Sequence, residues 1–375
     1  MLRILKRQRT LRLPVVLEPP PPLPPPIRTS AFQIYVKPVL VSVGLTGTTF
    51  TIAALVHERQ AELFWKQLRV EKPEFGNLRH IITDQQLLWL DLVQEKAKLW
   101  KQRQEEILKD LKHHLEQITL LPEYVKNQVY QITQAYINLP ESKKTITGLI
   151  GLNMLVFLAW RIPPLQPSLQ RQFFSGRNRI TSCFAHRNAL HLTVNMVGLY
   201  IFGPLVYDVL GREQFLAFYI SLGMNANLIG YLMSVALKRP AVMMNYGASG
   251  SIYGLLAGSA LLYPDTNIAI PFLPMLAVPI NYAIPALVTT DIAGVLLRWR
   301  MFNHFTHLGG AVLGLSYMKY GPDYIWQPLL KQIRELKEKG GGGSSRGDGS
   351  GIMMEIPNKK LVSWLKKTST VPEKQ

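Results

Sequence analysis

The chain has 375 residues and a formal charge of +18 at neutral pH, with 47% of its residues hydrophobic and 18% charged. Between Thr145 and Met318 the charges are confined to short punctuations: Arg161 to Arg187, Asp208 to Glu213, Lys238 and Arg239, Asp265, Asp291, and Arg298 to Arg300. The uncharged runs between them are roughly 16 to 25 residues long, enough to cross a hydrocarbon core. That placement excludes a nucleic-acid binder, because Lys and Arg sit in tails and loops flanking apolar runs. The single cysteine, Cys183, excludes an internal disulfide and a cysteine metal cluster.

The opening MLRILKRQRTLR sets Arg3, Lys6, Arg7, Arg9 and Arg12 among hydrophobic residues with no acid before Glu18, the pattern of a mitochondrial presequence. Pro19 to Pro26 should be extended and unable to join a core, so residues 1–36 form a presequence and Pro-rich segment. Val39 to Val56 is uncharged and bounded by Lys37 and by His57, Glu58 and Arg59, which predicts one transmembrane helix over 37–56. Residues 57–144 mix both signs of charge with Leu and Trp and read as an amphipathic helical segment, a surface for the membrane or a partner.

Six further spans follow at 145–160, 188–207, 214–237, 247–263, 276–297 and 303–318, so the fold class is an all-α polytopic membrane bundle with one extra helix before it. The core is set at 145–322. Beyond it, residues 323–375 read as a flexible basic tail that includes the Gly/Ser-rich stretch Gly340 to Gly351. The triplet Arg346, Gly347, Asp348 there is a chance match to an adhesion motif.

Polar side chains in such a bundle are costly, so those that remain are functional candidates. They are His191 and Asn195 in the second core span, Ser249 and Tyr253 in the fourth, Asp291 in the fifth, and His304 and His307 opening the sixth. Peptide hydrolysis by a serine needs a base for the hydroxyl proton and donors for the oxyanion. Ser249, in NYGASGSIYG, and His307, in NHFTHLGG, both begin their spans, and two crossings return the chain to the same side of the membrane.

For the two to meet, their helices must approach closely, and Gly250, Gly254 and Gly258 on one, with Gly310 and Gly314 on the other, recur at the four-residue spacing that permits it. Tyr253 lies one turn after Ser249, where its ring can stack on His307. His191 and Asn195, one turn apart, can donate to an oxyanion together with the Ser249 backbone N–H. Each feature alone has a plain structural reading, since a serine in a helix bonds its own backbone and spaced glycines simply pack.

Together, the His186, His191 and Asn195 spacing in TSCFAHRNALHLTVNM, the Gly-x-Ser-Gly of Gly247 to Gly250, and HLGG at His307 resemble the rhomboid family over about residues 145–322. The resemblance implies an intramembrane serine endopeptidase with a Ser249/His307 dyad lacking an acidic third member, and an oxyanion hole at His191 and Asn195. It implies no cofactor or metal. It further implies a water-accessible cavity open to one membrane face, with single-pass membrane proteins in the lipid bilayer as substrates. The extra helix, the basic amino terminus and DIAGVLLRWRMFNHFTHLGG look like the mitochondrial presenilin-associated rhomboid-like branch, which acts in the inner membrane in protein processing and quality control.

The Trp-Arg pair of many bacterial relatives is missing from the first loop, where Arg177, Asn178 and Arg179 stand instead. His186 and His304 are assigned to structure rather than catalysis. Asp291 is expected to have a helix-packing or interfacial role, with Arg298 one to two turns later as a partner. An intramembrane metalloprotease is excluded by the missing His-Glu-x-x-His string, and an aspartyl protease by having a single deep carboxylate. A transporter would show interrupted internal repeats, and a catalytically dead rhomboid relative has no chemical need for all four site residues. The basic loops lie on the side where the fourth and sixth core spans begin, so charge bias turns the active face to the matrix.

Overall fold

The computed structural model describes residues 30–71, 85–174, 179–186, 188–237, 247–270, 273–299 and 302–340. The presequence, the polyproline stretch, most of the glycine linker, the basic tail, Arg177, Asn178, Lys238 and Arg239 lie outside the described residues.

After a π-helical turn at Phe32–Val36, helix α1 runs Lys37–Glu71, through the predicted first span and well beyond it. The charged segment forms α2 (Gln85–Gln117) and α3 (Glu123–Ile137), joined where Gln104 Nε2 donates to the Ile137 carbonyl at 2.9 Å. The core then consists of α4 (Glu141–Ala159), two short connecting helices α5 (Gln166–Phe174) and α6 (Arg179–Ser182), α7 (Ala189–Leu210), α8 (Arg212–Ala236) and α9 (Ser249–Leu262). A hairpin of β1 (Asn267–Ile270) and β2 (Leu273–Pro279) follows, then α10 (Ile280–Leu296), α11 (His304–Gly321) and α12 (Gln327–Gly340).

The fold is all-α and polytopic, with the hairpin as an addition that the sequence did not announce. Three described helices are long and apolar enough to cross a membrane, four if α4 and the helix bent from it by 97° count as one span. Helix α9 is shorter. Its 14 residues rise about 21 Å against a hydrocarbon core of about 30 Å, so it is too short to cross that core by itself.

Helix ends are set by local chemistry. Asn188 caps α7 by accepting the His191 N–H at 2.8 Å, and Asn303 caps α11 by accepting the Thr306 N–H at 3.2 Å. Gly211, at φ +76°, closes α7 and lets α8 turn straight back. Helix α1 lies antiparallel to α8: Asn225 Nδ2 donates to Thr46 Oγ1 at 2.8 Å, and His57 Nδ1 lies 3.5 Å from Glu213 Oε2.

The expected flexible tail is helical as far as Gly340. A π-helical turn at Pro322–Trp326 carries α11 into α12, which buries Trp326, Leu330 and Ile333 on one face. That face rests against α1, where Arg334 Nη2 meets Glu58 Oε1 at 2.9 Å and Lys337 Nζ meets Glu62 Oε1 at 2.6 Å. Polar composition suggested a free tail, but the apolar residues recur at helical spacing and are buried together.

Helices α9 and α11 run parallel, in backbone contact. A Cβ on Gly310 would overlap the Gly250 carbonyl, one on Gly314 would overlap the Gly254 backbone, and one on Gly254 would sit 2.9 Å from the Gly310 carbonyl oxygen. At Gly258 the neighbour is the Met318 side chain, 2.8 Å from such a Cβ. Backbone cannot step aside as a side chain can, so Gly310→Val should cost about 3 kcal/mol and lower the unfolding midpoint by about 6–12 °C. Scanning fluorimetry in detergent measures this, and Gly148→Ala, with open space around its Cβ, should leave the midpoint almost unmoved.

Candidate active site

Ser249 is the first residue of α9, half-buried, with Ala248 as its cap. The turn before it depends on Gly247, whose φ of +121° suits glycine alone. The Gly247 N–H donates to the Ser182 carbonyl at 2.8 Å, tying this turn to the segment that leads into α7. The first backbone N–H groups of a helix have no intrahelical acceptor, so the Ser249 amide is available to an oxyanion.

His307 lies one turn into α11 and is buried at 8% exposure. Its ring stacks on that of Tyr253, with centroids 4.1 Å apart and planes 11° from parallel. Tyr253 stands one turn after Ser249, so the glycine contact and the stack bring the imidazole to the serine end of α9.

From α7, the His191 ring lies against Gly247, 2.9 Å from where a Cβ there would be. Asn195 is buried and donates Nδ2 to the His191 carbonyl at 2.7 Å, which leaves its second amide N–H to give. His186, in the segment before α7, packs its ring edge to face on His191 at 5.2 Å. Burial, and then the charge of His191, pushes the His186 imidazole down to about 4, so it is neutral near pH 7 and acts by packing.

Asp291 departs from expectation. Its Oδ1 lies 3.1 Å from His307 Nδ1 and 2.6 Å from His304 Nδ1, all three side chains being buried. Arg298 is not its partner: α10 ends at Leu296, and Arg298 is exposed beyond it at φ +58°. A buried carboxylate needs hydrogen-bond donors, and α11 supplies two. A carboxylate on the Nδ1 side of His307 holds the proton there and leaves Nε2 as the basic nitrogen.

The Asp291, His304 and His307 donor atoms fall within 4.8 Å of one another, a set that could hold a metal ion. The two Nδ1 atoms stand at hydrogen-bond distance from one carboxylate oxygen, while Asp291 Oδ2 and His304 Nε2 are buried without a hydrogen-bond partner among the described residues. The dyad expected from family resemblance thus has an acidic neighbour. The one signal for it in the sequence was a lone acid deep in an apolar run.

Residues 175–322 match the Rhomboid domain family. The chain is 32% identical over 347 residues to presenilin-associated rhomboid-like protein A, mitochondrial, of Danio rerio, covering 89% of this chain and 83% of that protein. Against presenilin-associated rhomboid-like protein, mitochondrial, of Homo sapiens, the identity is 32% over 336 residues, covering 86% and 76%. Rhomboid protein 1, mitochondrial, of Saccharomyces cerevisiae is 32% identical over 191 residues, 48% of this chain and 53% of that protein. The chain belongs to the rhomboid family, in its presenilin-associated rhomboid-like branch. It is a mitochondrial multi-pass membrane protein.

Proposed function

We propose that the protein is an intramembrane serine endopeptidase of the mitochondrial inner membrane that cleaves the transmembrane segments of single-pass membrane proteins in processing and quality control. Ser249 Oγ attacks the scissile carbonyl. His307 Nε2 takes its proton and later returns it to the leaving amine, while Asp291 holds Nδ1–H and stabilises the imidazolium between those steps. His191, Asn195 and the Ser249 N–H receive the oxyanion. The observation that carries the proposal is the placement of His307 between the stacked Tyr253 ring and the Asp291 carboxylate, at the end of α9 where Ser249 stands.

A helical substrate hides its carbonyls in its own hydrogen bonds, so cutting favours a helix that unwinds locally. The charge distribution of the loops supports a site open to the matrix. The test is labelling of the wild-type protein, reconstituted in liposomes, with a serine-directed fluorophosphonate, alongside cleavage of a single-pass substrate. Label mapped to Ser249 together with cutting supports proteolysis. Neither label nor cutting across several substrates would place the protein among binding adaptors.

A further inference from the structure

His304 opens α11, and the mechanism above does not use it. Its Nδ1 is the closer of the two imidazole contacts to Asp291 Oδ1, at 2.6 Å against 3.1 Å for His307. An ionised carboxylate can only accept, so both rings carry their proton on Nδ1. His304 Nε2 is then an acceptor, buried without a hydrogen-bond partner among the described residues. Among the described residues, the single hydrogen-bonding partner of this ring is Asp291, although burying an unpaired nitrogen costs free energy that an apolar ring would not.

The fold also makes room for an imidazole at this place. Gly294, three residues after Asp291 on the same face of α10, has no side chain where the His304 ring lies, and any Cβ there would overlap the ring. Trp299 and Phe302 flank it, with ring centroids at 6.1 and 6.3 Å. The titratable groups facing Asp291 are His307 and His304 of α11 and Tyr253 of α9. Helix α10 is otherwise sparsely buried, with only Ile280, Asp291 and Gly294 enclosed, so His304 joins it to α11 at the point where chemistry needs the carboxylate fixed.

We propose that His304 is a positioning residue, which rests on the proteolytic reading above: it fixes the Asp291 carboxylate in the orientation that serves His307 and shares its negative charge. Asn and Gln separate this role from space filling, because the Asn amide nitrogen falls near the position of Nδ1, whereas the longer Gln places its own near Nε2. Full-length protein in liposomes should show kcat lowered about 10- to 100-fold by His304→Leu, with KM held within about twofold, since misplacing a catalytic group impairs the reacting state more than binding. His304→Asn should keep kcat within about threefold of wild type, and His304→Gln should fall with His304→Leu.

Wild-type kcat in His304→Leu overturns the proposal, as does equal activity of the Asn and Gln variants, a comparison that still decides if His304→Leu fails to fold. A wild-type protein that cuts, with His304 variants that do not differ, removes this role and leaves the proteolytic reading standing. A wild type that neither cuts nor labels removes both.

Discussion

Ser249→Ala and, separately, His307→Ala are expected to reduce cleavage of a reconstituted single-pass substrate by about 10³-fold or more, down to background. The first variant lacks the atom that forms the acyl-enzyme bond. The second leaves the hydroxyl with no base, and a serine hydroxyl is a weak nucleophile at neutral pH. Because the two groups act as one unit, the double variant should be no worse than either single one. The measurement is single-turnover cleavage in liposomes at matched protein, with unfolding midpoints as the control for folding. The Tyr253 stack and the glycine contact do not involve the Ser249 hydroxyl, so Ser249→Ala should also leave the midpoint unchanged. Cutting by Ser249→Ala at wild-type rate would refute the assignment.

Asp291→Asn is expected to lower kcat about 10²- to 10⁴-fold while KM stays nearly constant. Asn has the shape of Asp but only one accepting oxygen, and its amide can turn an N–H toward His307 Nδ1. That nitrogen must then accept, the proton moves to Nε2, and the base proposed for Ser249 is lost. The developing imidazolium also loses a buried anion beside it, where a low dielectric strengthens the interaction. If Asp291 served only to pack α10, an isosteric amide would leave kcat within a few-fold of wild type. Arg298→Gln should leave kcat intact, since Arg298 is exposed beyond the end of α10. Kinetics on the two variants side by side distinguish a partner of His307 from a partner of Arg298.

What could be read from the chain was whatever follows from helical periodicity. Gly250 and Gly254 recur at one turn, as do Gly310 and Gly314, and the structure brings these faces into backbone contact. The placing of Tyr253 on His307 follows from the same count. Periodicity ends where helices end. Asp291 and His307 are separated by the break between Leu296 and His304, and no spacing rule gives the angle at which α11 returns to α10. A pairing with Arg298 follows from proximity along one helix, and α10 ends at Leu296, too early to support it.

Composition misled at two other places. Residues 276–279 are apolar enough to read as part of a span, yet they belong to β2, whose partners are in β1. Residues 323–340 looked like free tail because they are rich in charge, yet their apolar residues cover α1. The apolar pattern likewise starts α9 two residues early, at Gly247, which instead turns with a positive φ to reach the Ser182 carbonyl.

The shortness of α9 has a consequence for how the reactants arrive. Its flanks are enclosed by neighbouring helices, most of its residues being buried. Hydrolysis consumes water, which is almost absent from hydrocarbon, whereas a transmembrane substrate is confined to it. A protease working at Ser249 has to join those two phases there: the peptide would approach sideways through oil, and water would have to reach the start of α9 from one compartment. Polypeptides elsewhere in the bilayer stay kinetically inert for want of solvent, and a charged, membrane-impermeant serine reagent should find its target from one side of a sealed vesicle and not from the other.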